Sequence, residues 1–353
     1  MSSFATAGEV AEAARAALPP EVWDYVSGGG GTEVTLRRNR AALDALLFRP
    51  RVLRDVSARR TDTTFLGLPI ALPVLLAPIG TIGLFDAGGA ATCARAAARA
   101  GTGAFVGILS VPSLEEVAAA APDAPLIFQH YVRGDREWTL ELFKRAEAAG
   151  YRALCITVDS AVDGIRERDL RNRFDRSKAQ DRPNLGTAYA RRELQATLTW
   201  SEIAWLAEQT ELPLMIKGVT HPDDAKLAIE SGAAAVVVSN HGGRQLDPQP
   251  GALEVLPDVV AAAGGRLEVA VDGGFERGGD VVKALALGAR AVLIGKAMCF
   301  SLAAGGEAAL VETLTRLRTE VERTFALLGV TAPDDVRPEH VRPAPWPTPP
   351  HAG

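Results

Sequence analysis

Eight short apolar runs alternate with alanine-rich helical stretches from residue 73 onward, and this alternation limits the fold more than any other feature. Each run has the length of a buried strand, and a segment with helical periodicity follows it. Eight such units predict an α/β fold, a (β/α)8 TIM barrel. The runs are 73–78, 103–109, 125–131, 152–158, 213–217, 234–239, 267–272 and 290–295.

A doubly wound open sheet is the alternative fold for a chain that alternates strands with helices. That fold binds dinucleotides through a G-x-G-x-x-G turn after its first strand. The segment after the run 73–78 does not contain this pattern. We therefore favour the closed barrel, formed as one domain by residues 73–330.

The segments on either side of the barrel have different patterns. Residues 1–72 predict an N-terminal helical extension and connector that packs on the barrel, with a helix at 5–18 that ends at Pro19 and Pro20. A long helix near 307–328 is expected to close the ring. Residues 331–353 are rich in proline and are predicted to be a disordered tail.

Composition and charge exclude several classes of protein. The formal net charge of -5 gives no basic field for nucleic acid. Three widely spaced cysteines favour buried thiols in a reducing compartment over disulfides or a metal site. No signal peptide is recognised, and no apolar run approaches the length of a membrane span. We expect a cytoplasmic protein with no metal, nucleic-acid or membrane partner.

Polar residues stand at the ends of the predicted barrel strands. In a barrel of this type the active site lies at the carboxyl ends of the strands. A buried strand has no structural need for a lysine at its end, so the set predicts a functional site. The residues are Gln129, Tyr131, Thr157, Asp159, Lys217, His241, Arg244, Asp272 and Lys296.

The stretch VVVSNHGGRQLD, at residues 236–247, places His241 and Arg244 after a buried strand and on either side of two glycines. A titratable base beside a fork-shaped cation suits a carboxylate substrate that must lose a proton. The alternative for this stretch alone is a turn with a structural histidine and a surface arginine. Tyr25 adjoins a four-glycine turn, where it either approaches a ligand or anchors the N-terminal segment.

Glycine turns follow the last two predicted strands, at Asp272-Gly273-Gly274 and at Gly295. Such turns expose backbone N–H groups at a helix N-terminus, which is the usual phosphate site of these barrels. The mouth is therefore predicted to bind a phosphorylated ligand on one side and to hold an acid–base pair on the other.

Six segments together resemble one known family. SNHGGRQLD, the DGG turn, LPLMIKGV, FQHY, TVD and RERDLRNRF are similar to segments of the FMN-dependent 2-hydroxy-acid oxidases and dehydrogenases. That family includes glycolate oxidase, lactate oxidase, mandelate dehydrogenase and hydroxymandelate oxidase. The resemblance covers residues 21–330 in the family's order. It implies FMN as cofactor, a small-molecule 2-hydroxy acid as substrate, its 2-oxo acid as product, and a homo-oligomer, commonly a tetramer.

The resemblance also implies a role for each matching residue. His241 is the base, Asp159 orients its ring, and Tyr131 bonds the substrate oxygen. Arg166, Arg244 and Tyr25 hold the substrate carboxylate, and Lys217 stabilises the reduced flavin at N1 and the C2 oxygen. The remaining FMN-binding residues are Ala77, Pro78, Ile79, Gly80, Gln129, Thr157, Ser239, Asp272, Gly273, Gly274, Arg277, Gly295 and Lys296.

Two positions depart from the family at the phosphate end. Where the family has an arginine after DGGx, this chain has Glu276, with Arg277 one residue later. An acid about 5 Å from a phosphate costs a few kcal/mol at an effective dielectric near 20. Lys296 replaces a second arginine, which keeps the charge but loses the bidentate fork. Either Glu276 turns away and Arg277 takes over the phosphate, or FMN is held weakly.

A third departure concerns the substrate. Several family members have a tryptophan at the position of Leu109, so we expect a pocket open to larger or aromatic, mandelate-like side chains. Oxygen is the expected electron acceptor, because no haem domain is recognised. The alternatives are a flavin barrel that catalyses a different oxidation or an isomerisation in specialised biosynthesis, and a flavin-poor binding protein.

Three remaining features have structural explanations that we favour. The segment 166–192 contains nine basic residues and four acids, which favours a solvated mobile lid over a surface that steers anionic substrates. His130 alternates with Gln129 and Tyr131 along its strand, so it is expected to point away from the mouth. His221 is also expected to be structural.

Overall fold

The computed structural model describes residues 4–175, 180–186 and 192–344. Its helices are α1 (Ala7–Ala17), α2 (Pro20–Ser27), α3 (Val34–Asp44), α4 (Gly89–Ala100), α5 (Leu114–Ala120), α6 (Arg136–Ala148), α7 (Glu167–Arg171), α8 (Trp200–Ala207), α9 (Pro222–Glu230), α10 (Ala252–Ala263), α11 (Gly278–Ala286) and α12 (Lys296–Leu328). Its strands are β1 (Leu46–Phe48), β2 (Thr63–Phe65), β3 (Leu68–Ile70), β4 (Val74–Leu76), β5 (Ala104–Gly107), β6 (Leu126–His130), β7 (Ala153–Thr157), β8 (Leu214–Val219), β9 (Ala235–Val238), β10 (Glu268–Asp272), β11 (Ala291–Ile294) and β12 (Val341–Pro343).

Strands β4 to β11 form a closed parallel barrel, in the order β10-β11-β4-β5-β6-β7-β8-β9. Each predicted apolar run coincides with one of these strands, so the (β/α)8 prediction is confirmed. The run 213–217 extends further than expected, because β8 continues to Val219 across a bulge after Lys217. Gly218 occupies this bulge at φ 111°, and a Cβ there would lie 2.7 Å from the Cβ of Asp159.

Both faces of the barrel strands are covered, which explains their unbroken apolar sequences. In β9, Val237 packs inside the barrel with Met215 and Ala270, whereas Val236 and Val238 pack on the surrounding helices. The β2–β3 hairpin adds Phe65 and Ile70 to the interior cluster. With its interior filled by side chains, the barrel leaves space for a ligand only at its mouth.

The N-terminal extension is tied to the loop after β9. The side-chain amides of Asn39 on α3 and Asn240 on the loop each donate to the other, at 2.9 and 2.8 Å. The carboxylate of Asp247 accepts from the first backbone N–H groups of α3, including that of Thr35 at 2.6 Å. This places α2 and α3 beside the residues that follow β9.

The expectation of a disordered tail is wrong for residues 331–344. Strand β12 pairs antiparallel with β1, and the backbone N–H of Arg49 donates to the carbonyl oxygen of His340 at 2.8 Å. Val336 and Val341 are buried in the core, which accounts for the order of this segment despite its prolines. Residues 345–353 lie outside the described part of the chain.

Helix α12 is longer than the sequence suggested and begins directly after β11. Gly305 and Gly306 have non-helical backbone angles and divide it in two. By length and composition alone it is apolar enough to cross a membrane, contrary to the expectation from sequence. It packs against α1, α4 and α11 with Leu310, Leu317 and Phe325 buried, as a core helix does.

Candidate active site

A cavity of about 470 Å³ opens at the carboxyl ends of the barrel strands. Residues from α2, α3 and most of the strand ends line it, so the structure gathers segments that are far apart in the sequence. Most of the predicted site residues are on its wall. They are Tyr25, Ala77, Pro78, Ile79, Gly80, Leu109, Tyr131, Thr157, Arg166, Lys217, His241, Arg244, Asp272, Gly273, Gly274, Gly295 and Lys296.

Four predicted site residues do not line the cavity in the described part of the chain. Three of them hold residues that do, because Asp159 bonds His241, Gln129 bonds Thr157 and Ser239 bonds Lys217. Arg277 instead precedes α11, where its backbone N–H donates to Asp280. This placement gives no support to Arg277 as the residue that takes over the phosphate.

His241 and Asp159 form the acid–base pair of the site. The Nδ1 of His241 lies 2.8 Å from Oδ1 of Asp159. An ionised carboxylate only accepts hydrogen bonds, so Nδ1 carries the proton and Nε2 is left as the base. His241 has φ 59°, and Gly242 and Gly243 continue the turn at positive φ, which turns the imidazole toward the cavity.

The surroundings of Asp159 keep it ionised. Burial alone would raise the pKa of this carboxyl group, but the His241 ring and the Lys217 ammonium outweigh burial and hold the pKa below its ordinary value. Ser160 adds a hydroxyl that donates to Asp159 at 3.3 Å. A carboxylate in this state orients the imidazole and stabilises its protonated form.

Two arginines converge on Tyr25 at one side of the cavity. The guanidinium carbon of Arg244 lies 4.9 Å from the centre of the Tyr25 ring, and that of Arg166 lies 5.9 Å from it. Arg166 Nε donates to the carbonyl oxygen of Arg244, and Arg244 Nη1 donates to that of Gly28. Two fixed guanidinium groups beside a phenol form a site for one carboxylate.

Lys217 is a buried cation at the centre of the site. Its Nζ donates to Ser239 Oγ at 2.8 Å and lies 2.9 Å from Oδ2 of Asp272. Burial would lower the pKa of Lys217, but Asp272 and Asp159 outweigh burial and raise it, so the side chain stays charged. Beside it, the amide of Gln129 donates to Thr157 Oγ1 at 2.9 Å.

Two glycine turns and the N-terminus of α12 form the other end of the cavity. Gly273 and Gly274 have φ 103° and 84°, and Gly295 precedes α12. Lys296 Nζ donates to the carbonyl oxygens of Ser27 and Gly28, and burial, assisted by the charge of Arg244, lowers its pKa to about 7. Exposed N–H groups and a nearby amine fit a phosphate, whereas Glu276 on the same wall does not fit it when ionised.

Sequence reasoning missed other residues of the cavity wall. Arg40 on α3 donates to the carbonyl oxygen of Gly274 and to Asp280, more than 230 residues away along the chain. Arg133 and Arg182 also line the cavity, and Arg133 lies over the Tyr131 ring. None of these arginines occurs in a motif, so no local signal separated them from surface arginines.

The expected lid segment is only partly described, because residues 176–179 and 187–191 fall outside the described ranges. Within it, Gln180 Nε2 donates to the carbonyl oxygens of Gly80 and Leu109, at 2.7 and 2.9 Å. Its Oε1 accepts from the backbone N–H of Gly83. This one side chain joins the segment to the loops after β4 and β5.

The two histidines expected to be structural lie away from the cavity. His130 is fully buried between the rings of Trp138 and Phe143, and burial lowers its pKa to about 3. His221 precedes α9, and its Nδ1 accepts from the backbone N–H of Asp223. Both placements agree with the sequence interpretation.

Comparison with known proteins decides the family. The model of the FMN-dependent dehydrogenases matches residues 14–343. The chain belongs to the FMN-dependent dehydrogenase family. It is 42% identical over 347 residues to an L-lactate oxidase from Nostoc sp., with 93% of this chain and 95% of the relative covered. It is 41% identical over 356 residues to glycolate oxidase 3 from Oryza sativa subsp. indica, with 97% of each chain covered.

Solved structures agree with this assignment. A mandelate oxidase with benzoyl-formic acid superposes on this chain with a TM-score of 0.90 and 38% identity, over 96% of this chain and 98% of that one. A mutant of the active chimera of (S)-mandelate dehydrogenase superposes with a TM-score of 0.92 and 35% identity, over 96% of this chain and 99% of that one. The predicted family, fold and FMN cofactor are therefore confirmed, and the protein is an oxidoreductase that acts on CH–OH donors.

Proposed function

We propose that this protein uses FMN to oxidise a 2-hydroxy acid with a large, aromatic side chain to the 2-oxo acid, with oxygen as the electron acceptor. The observation that carries the proposal is the joint placement of the His241–Asp159 pair and the Arg166–Arg244 site in one cavity. A base and a carboxylate site that share a cavity suit a substrate whose acid group adjoins the carbon to be oxidised.

Each residue of the site has a separate role in the proposed oxidation. Arg166 and Arg244 hold the substrate carboxylate and so fix the reacting carbon near Nε2 of His241. His241 takes up the proton that the substrate releases, and Asp159 stabilises the resulting imidazolium. Bound FMN supplies the two-electron acceptor for the oxidation. The Tyr131 hydroxyl hydrogen-bonds the substrate oxygen, and Lys217 supplies a fixed positive charge in a buried position.

Replacement of Asp159 with asparagine is expected to lower kcat/KM by about 10²- to 10⁴-fold, because the imidazolium loses its stabilising charge. Steady-state turnover of the FMN-loaded enzyme measures the effect, and the visible spectrum gives the flavin content of the variant. Unchanged turnover at full flavin content would show that Asp159 does not support the base.

The proposal that the substrate has an aromatic side chain is based on Leu109. This residue lines the cavity after β5 and presents a branched apolar side chain without an N–H group. A phenyl group packs well against such a surface. Mandelate oxidases are among the matching structures, although L-lactate and glycolate oxidases are among the sequence relatives.

A substrate series tests this part of the proposal. We expect kcat/KM for mandelate to exceed that for glycolate by about tenfold or more, since burial of a phenyl group contributes a few kcal/mol. The Leu109→Trp variant is expected to lower the ratio at least tenfold by filling the space. Leu327→Trp is the matched control, because Leu327 is exposed on α12. A wild-type preference for glycolate would contradict the proposal.

Oxygen as the acceptor is supported by the names of the sequence relatives, which include L-lactate oxidase and glycolate oxidase. The test compares oxygen uptake and peroxide formation with turnover of an artificial dye under nitrogen. One peroxide per molecule of substrate would support oxygen. Turnover that requires the dye would replace oxygen with another acceptor.

A further inference from the structure

Glu276 is an acid at the end of the cavity that otherwise fits a phosphate. It follows the glycine turn after β10, and Gly274, Gly295 and Lys296 line the same cavity. Helix α12 begins at Lys296 on the same wall, so its N-terminal N–H groups favour an anion here. An ionised Glu276 opposes that preference.

Two of the nearby cations, Arg40 and Lys296, are already engaged elsewhere. The guanidinium of Arg40 donates to both Asp280 oxygens and to Asp44. Lys296 donates to two backbone carbonyl oxygens. In the described part of the chain, Glu276 makes no ion pair within 4.0 Å, so no fixed cation neutralises its carboxylate.

We infer that Glu276 binds the phosphate of FMN as a neutral carboxylic acid, so that loading of the cofactor carries a proton from solvent into the cavity. A carboxylate beside a phosphate would be repelled by it, whereas a protonated acid has an O–H group to donate to a phosphate oxygen. The inference rests on the family's FMN cofactor and is independent of the substrate proposed above.

The charged groups around Glu276 determine how readily it takes up the proton. Glu276 is exposed to the open cavity, yet the protein packed around that cavity partly desolvates its carboxyl group and raises the pKa. Asp280 raises the pKa further, while Arg40, Arg277 and Lys296 act in the opposite direction without overcoming the desolvation. Arg37 on α3 is a further cation on the cavity wall. The phosphate adds negative charge beside Glu276, which raises the pKa again.

The sign of the pH effect follows from these directions. Because bound phosphate raises the pKa of Glu276, the contribution of Glu276 to FMN affinity is complete below the pKa of the cofactor-free protein. It falls as pH rises from that value to the pKa of the complex, by tenfold per pH unit for one proton. Lys296, with a pKa of about 7 before loading, gives a second contribution of the same sign.

Binding of FMN and riboflavin to the flavin-free protein tests the inference without turnover. Riboflavin has the same ring and ribityl chain but no phosphate, and above about pH 7 the FMN phosphate is already a dianion. As pH rises above the pKa of Glu276 in the cofactor-free protein, we expect the FMN dissociation constant to increase and that of riboflavin to stay nearly constant, and from about pH 7 upward Lys296 adds to the increase. Fluorescence quenching gives both constants, and calorimetry in two buffers counts the protons taken up.

Variants assign the protons to residues. Glu276→Gln has the shape of the neutral acid and cannot ionise. At pH values where Glu276 is ionised in the wild type, we therefore expect about tenfold tighter FMN binding by the variant, with a slope reduced by up to one proton. Lys296→Arg keeps a positive charge at every pH tested. It should therefore remove the Lys296 contribution to the pH dependence of FMN binding and retain that of Glu276. Glu137→Gln, on the exposed surface of α6, is the control.

Three results would overturn the inference. They are an FMN affinity that does not depend on pH, equal slopes for FMN and riboflavin, and a Glu276→Gln slope equal to that of the wild type. A Glu276→Gln protein that unfolds like the wild type but does not bind FMN at any pH would overturn it as well.

Discussion

His241→Asn is expected to lower turnover by about 10²- to 10⁴-fold while FMN remains bound. Asparagine is chosen because residue 241 has φ 59°, a left-handed conformation that asparagine tolerates better than most residues. The substitution removes the base but keeps the turn that carries Arg244. Stopped-flow reduction of the flavin by substrate measures the effect directly.

The control for this variant is His221→Asn. His221 is exposed before α9, a position where asparagine is a good helix cap, so turnover should not change. If His241→Asn retained full activity, His241 would not be the base. If instead the wild type also failed to turn over any 2-hydroxy acid while holding FMN, the chain would act as a flavin-binding protein.

Lys217→Met is expected to lower the free energy of unfolding by about 3 to 5 kcal/mol, because it leaves the Asp272 carboxylate buried without its cation. Lys217 and Asp272 are 5% and 8% exposed. Urea unfolding of the flavin-free protein measures the change. The double variant Lys217→Met with Asp272→Asn should recover most of the stability but not turnover, since the positive charge at the site is still missing.

An exposed pair provides the matched comparison. Lys226 and Asp223 on α9 lie 2.7 Å apart, with side chains 55% and 65% exposed. Lys226→Met should therefore cost less than about 1 kcal/mol. Equal costs for the two lysine variants would show that the Lys217–Asp272 pair is not held in a low-dielectric environment.

The barrel was predictable because burial on both faces leaves an unbroken apolar run for each strand. In β9, Val236, Val237 and Val238 all face a core, so the strand is visible in a single sequence. The residues at the strand ends were predictable for a related reason, since Lys217 and His241 interrupt apolar stretches. These signals are local. Because the active site of such a barrel lies at the carboxyl ends of the strands, the fold then predicts that these residues lie close together.

Contacts between distant segments were not predictable. Strands β1 and β12 have three residues each, and their pairing joins Leu46 to Pro343, so neither strand has a readable pattern of its own. The direction in which a side chain points after a turn was equally unpredictable from the sequence. The sequence placed Glu276 and Arg277 side by side, and only the backbone path directs Glu276 to the cavity and Arg277 to the start of α11.

The junction between the N-terminal extension and the barrel also sets an order of events in time. Lys296 bonds the carbonyl oxygen of Ser27, 269 residues earlier in the chain, and Arg244 bonds that of Gly28 across 216 residues. During synthesis, Ser27 and Gly28 leave the ribosome long before their partners exist. The phosphate end of the cavity is therefore completed only after Lys296 has been synthesised, and FMN can occupy the complete site only from that point on.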